Sequence, residues 1–248
     1  MKKRISIKSS RFENDKLICE SSDDDVLNFS TEEEMIKLLK MVKFMKIDRG
    51  TIYQIFSISN FGFVSPMKNL WLDAMEFLEN FYFVLKDEFF DVNMEIAQKL
   101  NHPKVCVISN YLPSEKLLKF VDAFPILASL TCVDHNVDDE LLTFLASKSS
   151  KSYPWKRLIF VFVHAPATPF PSGFSIGAVE HFFRHASFID ESQIFLDINA
   201  ALPEVEDMFK RIGKYEVSLL KQEEKEVKMK LKKIDEEIFI TFAMLLNL

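Results

Sequence analysis

The feature that most narrows what this 248-residue chain can fold into is a recurrence. Short runs of β-branched and aromatic residues return at near-even spacing, each followed by a polar break and then a helix-patterned segment. The runs are residues 52–58, 81–85, 105–108, 130–133, 158–163 and 194–198, and the helices predicted behind them are 66–80, 91–100, 113–124, 138–147, 175–185 and 203–212. Aligned on Ile55, Phe81, Val105, Leu130, Leu158 and Ile194, successive units lie 26, 24, 25, 28 and 36 residues apart. One strand with its helix cannot bury its own apolar face, so units of this size stack on one another. The pattern therefore predicts an α/β solenoid of strand-helix units with a parallel sheet.

The ends read differently. Ile5, Ile7, Leu17 and Ile18 suit a capping hairpin, and Ser30 with Glu33 has the spacing of a capping box opening a helix over 31–45. Ser65 before Pro66 supplies an N-cap and a proline at the first helical position, where its missing N–H costs nothing. At the other end Val227-Lys-Met229-Lys-Leu231-Lys alternates with period two. Segments 215–220, 226–232 and 237–244 read as an antiparallel meander, with a charged helix through 221–236 as the competing reading. The expected organisation is one continuous domain: capping strands and helix over 1–51, the array over 52–213, and the meander over 214–248.

Strand side chains alternate between faces. With the aligned positions inward, the residues pointing the other way include Phe56, Ile58, Tyr82, Val84, Cys106, Ile108, Thr131, Val133, Ile159, Val161, Phe195 and Asp197, nearly all apolar. So large an apolar patch needs a cover. Either a protein partner supplies it, or the chain's own helices lie on both faces, as in a doubly wound parallel sheet. On the first reading Phe56, Ile58, Tyr82, Val84, Ile108, Val133, Val161 and Phe195 form the binding face, with the aromatic residues as anchors.

The stretch Leu127-Ala-Ser-Leu130-Thr-Cys132, followed by Asn136 and Asp139-Glu-Leu141-Leu-Thr-Phe144-Leu145-Ala146, resembles an irregular leucine-rich repeat of the cysteine-containing kind. Asn60, Asn110 and Asn199 stand five residues past the aligned strand position and Asn136 stands six past it, where an asparagine can bond the turn backbone. The degenerate, Phe- and Lys-rich units over 52–212 are similar to the substrate-binding regions of nematode-type F-box proteins. An F-box, with its opening Leu-Pro pair and late Trp, is not visible before Ile52. The resemblance implies a protein-binding module, an adaptor or a substrate-recognition subunit of a ubiquitin ligase.

Composition weighs on the remaining function classes. A formal charge of −6 lacks the broad basic field that phosphate backbones need, so no nucleic-acid partner is expected. The cysteines Cys19, Cys106 and Cys132 are odd in number and scattered, which suits a reducing compartment: the cytoplasm, with the nucleus as the alternative. The basic start is not followed by a signal-length apolar run before Glu13, and the runs at 158–163 and 238–248 fall short of the ~20 residues of a membrane span. No membrane partner is expected.

Chemistry is sparse. The glycines are Gly50, Gly62, Gly173, Gly177 and Gly213, so neither GxGxxG nor a P-loop occurs. The nearest approach, Pro171-Ser-Gly173-Phe-Ser-Ile-Gly177, precedes a helix, and it defines the alternative function: an α/β enzyme with a divergent anion-binding loop near Gly173. His181 and His185 share a helix face at a zinc-like spacing, with His164 nearby in sequence, but the Glu of HExxH is missing. Cys132 and His135 are three residues apart at a strand end. No catalytic residue, metal site or cofactor is assigned.

Overall fold

The computed structural model describes residues 5–13, 16–21, 25–29, 42–45, 80–100, 103–134, 138–162, 173–223 and 226–246, with the single positions 31, 33, 34, 37 and 72. The strand at 52–58, nearly all of the helix at 66–80, Asn60, Ser65, His135, Asn136 and His164 lie outside the described residues. The chain forms two compact units. Residues 1–83, 87–105 and 120–126 make up the first, and residues 84–86, 106–119 and 127–248 the second.

In the first unit β1 (Ile5–Glu13) and β2 (Lys16–Ser21) form the predicted hairpin, with Phe12 opposite Leu17 and Arg11 opposite Ile18. β3 (Val26–Phe29) and β4 (Val42–Met45) extend it in the order β3-β2-β1-β4, with β4 parallel to β1. Residues 42–45 are thus a strand, not the end of the helix predicted over 31–45. Their Val-Lys-Phe-Met alternation suits pairing with β1, which outweighs a weak helical preference. The capping box lies one residue later than expected: the Thr31 N–H donates to the Glu34 carboxylate, and the Glu34 N–H donates to Thr31 Oγ, both at 3.3 Å. Further along, α1 (Phe90–Lys99) buries Val92, Ile96 and Ala97, and the rings of Phe83, Phe120 and Phe124 meet edge to face at 4.8–5.7 Å.

β5 (Asn80–Leu85) runs across the boundary between the units. After it come β6 (Val105–Asn110), α2 (Ser114–Asp122), β7 (Ser129–Asp134), α3 (Asp139–Lys148), β8 (Trp155–Phe162), α4 (Ile176–His185), β9 (Phe188–Ile198) and α5 (Leu202–Ile212), then the meander β10 (Tyr215–Gln222), β11 (Glu226–Lys233) and β12 (Phe239–Leu246). The sheet order is β10-β11-β12-β9-β8-β7-β6-β5. Strands β6 to β9 are parallel and so is the β9–β12 pair, while β10, β11 and β12 pair antiparallel. The fold is therefore α/β, with a mostly parallel sheet and a C-terminal meander. In β11, Val227, Met229 and Leu231 are buried, alternating with lysines, so this segment is strand and not charged helix.

Strand order decides the winding. From β6 to β9 the chain steps always to the same side, and right-handed crossovers then place every connecting helix on one face. A doubly wound sheet needs a reversal of that order, and none occurs between β6 and β9. The side chains agree. Phe183 of α4 packs at 5.0 Å from Phe209 of α5, at 5.2 Å from Phe242 of β12 and at 5.6 Å from Phe188, all ring to ring. The α3 helix lies beside α4, and its Leu145 carbonyl accepts from the buried Trp155 indole at 3.1 Å. Each large side chain buried this way contributes about 1.5–3 kcal/mol.

Caps set the helix boundaries. Asp138 accepts from the Leu141 N–H and Ser175 Oγ from the Ala178 N–H, each at 3.2 Å. Gly213 ends α5 in the left-handed region at φ 66°, where a side chain would be strained. At the end of β6 the Asn110 side chain accepts from the Leu112 N–H and donates to the Leu112 carbonyl. Asn199 is exposed, and its backbone N–H donates to the Phe174 carbonyl.

Candidate functional site

Register across the second unit separates two rows of side chains. Cys106, Leu130, Leu158, Ile194 and Phe242 stand side by side on successive strands, all at 0–1% exposure beneath α3, α4 and α5. One residue along each strand, Val107, Thr131, Ile159, Phe195 and Ala243 form the row on the opposite face. Beside it Ser109, Val133 and Val161 make a shorter row. Among the described residues no helix lies over this face. Val161 is 40% exposed, Val107, Val133, Ile159 and Phe195 are half-buried, and Ser109 and Ala243 are buried.

Between β8, β9, β12 and β11 this face forms an open recess of about 520 Å³. Ile159, Val161, Phe195 and Ala243 give it an apolar floor, while Gln193, Thr241, Glu226 and Lys228 line its polar side. Glu226 and Lys228 form an ion pair at 3.0 Å, and the next lysine of that row, Lys230, sits 4.1 Å above the Phe239 ring. The arrangement offers an aliphatic and aromatic surface with a lysine row along one edge. It can bury apolar side chains and attract acidic ones, but it brings no nucleophile and base together.

Of the residues expected to bind a partner, Val133, Val161 and Phe195 share this face. Ile108 does not. It is fully buried beside Cys132 on the helix-covered face, because Cys106 and not Val105 is the residue in register with Leu130. Val107 takes the open position instead. The run Val-Cys-Val-Ile has no polar residue to set its phase, and a slip of one turns every side chain over. Val84 is half-buried in β5, the Tyr82 side chain lies outside the described residues, and so do Phe56 and Ile58. Sequence reasoning missed Gln193, Thr241, Ala243 and the lysine row as site residues. The alternation of β11 was visible, but its approach to the parallel strands depends on β12 pairing with β9, which no local pattern announces.

At φ 124° Gly173 lies against β9 so closely that a Cβ would meet the Asp197 carbonyl group at 3.0 Å. That approach lets the Phe174 N–H donate to the Asp197 carbonyl and the Asn199 N–H donate to the Phe174 carbonyl. At the start of α4, Ser175 donates both its N–H and its hydroxyl to the Asp139 carboxylate. Two donors at this helix start are thus turned to the chain's own negative charge. The His181 and His185 rings lie 4.2 Å apart on exposed helix surface, and His185 Nδ1 donates to the His181 carbonyl. Among the described residues no three His, Cys, Asp or Glu are grouped to hold a metal. Cys106 and Cys132 are buried thiols outside any disulfide, and burial pushes the Cys106 thiol up, away from the reactive thiolate. Among the described residues no helix is long and apolar enough to cross a membrane. No protein-family model, no curated protein and no solved structure matches the chain.

Proposed function

We propose that the chain is a protein-interaction module that receives a polypeptide partner on the open face of its sheet, in the manner of an adaptor or substrate-recognition subunit of the cytoplasm. One observation carries the reading. A sheet wound in one direction leaves Val107, Val133, Ile159, Val161 and Phe195 on a face over which no helix lies among the described residues, although the same strands are sealed on the other side. Burial of a few apolar anchors in a desolvated patch is how most protein interfaces gain affinity. The row Lys228, Lys230 and Lys232 beside the recess favours a partner segment that carries acidic residues next to its apolar ones.

The test pairs Val161→Asp with Phe195→Asp in one chain. Affinity purification with the native chain should retain a reproducible set of proteins that the double variant loses, while far-UV circular dichroism and melting stay close to native. If both chains retain the same proteins, the open face is not the docking surface. If the double variant unfolds, Val161→Asp alone, at the more exposed position, repeats the comparison.

A further inference from the structure

The other end of the sheet carries a surface that the open-face reading does not use. β10 is a terminal strand, hydrogen-bonded among the described residues only to β11, and it is eight residues long. From Glu216 to Gln222 every side chain is exposed, including Val217 at 38%, Leu219 at 50% and Leu220 at 56%. A long edge strand with unpaired backbone groups and apolar side chains is a template for another strand. No described helix follows α5 to cover it.

The register shows which strand fits. Val217 stands opposite Leu231 and Leu219 opposite Met229, both residues of the helix-covered face, whereas Glu216 stands opposite Lys232 and Ser218 opposite Lys230 on the open face. The pairing then slips, leaving Leu220 as the extra residue of a bulge and putting Lys221 opposite Lys228, again on the open face. Without that bulge Glu216 and Lys221, five positions apart, would point to opposite sides of the sheet. With it they point to the same side.

We infer that two copies of this chain join β10 to β10 antiparallel, about a two-fold axis at Ser218, to make one continuous sheet. Counting the bulge as a single ladder position, this register sets Glu216 opposite Lys221 of the second copy, Val217 opposite the Leu219–Leu220 bulge, and Ser218 opposite its own equivalent. Every pair lies on a common face, as an antiparallel ladder demands. Both charge pairs are of opposite sign, and both apolar contacts bury residues now exposed. The strand is complementary to itself in the way a two-fold interface requires, and any other occupant would need that pattern by coincidence. The pairs within one chain, Glu216 with Lys232 and Lys221 with Glu223, lie on exposed surface and leave both groups free to share a second partner.

Sedimentation velocity on the full chain across a range of concentrations tests the inference. The native chain should show a monomer–dimer equilibrium. Glu216→Lys sets lysine against Lys221, and Lys221→Glu sets glutamate against Glu216, so each variant alone should dimerise roughly tenfold more weakly, two cross-strand pairs having changed sign. An equimolar mixture of the two variants should regain native association, because each unlike copy then faces its complement. Mixing cannot restore contacts within a chain, so recovery isolates the interface. A native chain that stays monomeric, that grows beyond a dimer, or whose variants fail to complement one another overturns the inference.

Discussion

The two faces of the sheet in the second unit are made of the same kind of side chain and end in different states. On one, Leu130, Leu158, Ile194 and Phe242 run across four strands at 0–1% exposure under a layer of helices. On the other, Thr131, Ile159 and Phe195 are only half-buried, and Val161 keeps 40% of its surface. Composition along the strands does not distinguish them; winding does. Strands that advance in one direction with right-handed crossovers send all their helices to one side. The face left behind is apolar with no helix over it among the described residues, and that mismatch between residue type and surroundings is what the docking proposal rests on.

The comparison breaks most sharply where the helix layer is anchored. Phe183 touches the rings of α5, β9, β10 and β12 at once, so Phe183→Ala should cost about 3–5 kcal/mol in urea unfolding. Val161→Ala, on the other face of the same sheet, should cost under about 0.5 kcal/mol. Equal losses at the two positions would mean that the open face is core after all, and the docking proposal would fall with it.

How much of this was legible depended on whether local pattern set the answer. The strands from 80 to 198 and the helices between them followed from apolar runs alternating with amphipathic segments, and Asp138 and Ser175 cap the helices expected to open at those positions. The phase of β6 was not legible, because four apolar residues in a row carry no alternation, and so Ile108 fell on the wrong face. The true start of β9 was also hidden. The strand opens at Phe188 and passes through the polar Asp190-Glu191-Ser192, with Glu191 at φ 58°, before the apolar run begins at Ile194. Its pairing with β12, which completes the recess, joins segments about fifty residues apart and leaves no trace in either one.

Within the covering layer, α3 and α4 are tied by polar contacts as well as packing. Asp139 accepts both the N–H and the hydroxyl of Ser175. Asp139→Ala should cost about 1 kcal/mol, since it removes hydrogen bonds to a charged group at an exposed helix start. It should also leave partner capture by the opposite face unchanged. A loss of capture without a loss of stability would place the partner at the Gly173 turn instead of on the open face.

The smallest effect concerns the tie between α4 and α5. Glu180 lies 2.6 Å from Arg184 on its own helix and 2.8 Å from Arg211 on the next. Hydrogen bonds from Arg184 first, and then from Arg211, hold its carboxyl below the usual carboxylate range. A carboxylate whose folded pKa lies below its unfolded one adds stability at neutral pH, and that stability is lost as pH falls through the folded value. Glu180→Gln should therefore be less stable than native near neutrality, with the gap closing in acid because only the native chain has a charge there to lose. Partly exposed ion pairs are weak and screened, so the gap should also narrow with added salt. A gap that persists unchanged into acid would show that Glu180 holds the helices by shape and not by charge, and the helix layer would then owe its adhesion to the same apolar contacts that the open face keeps unspent.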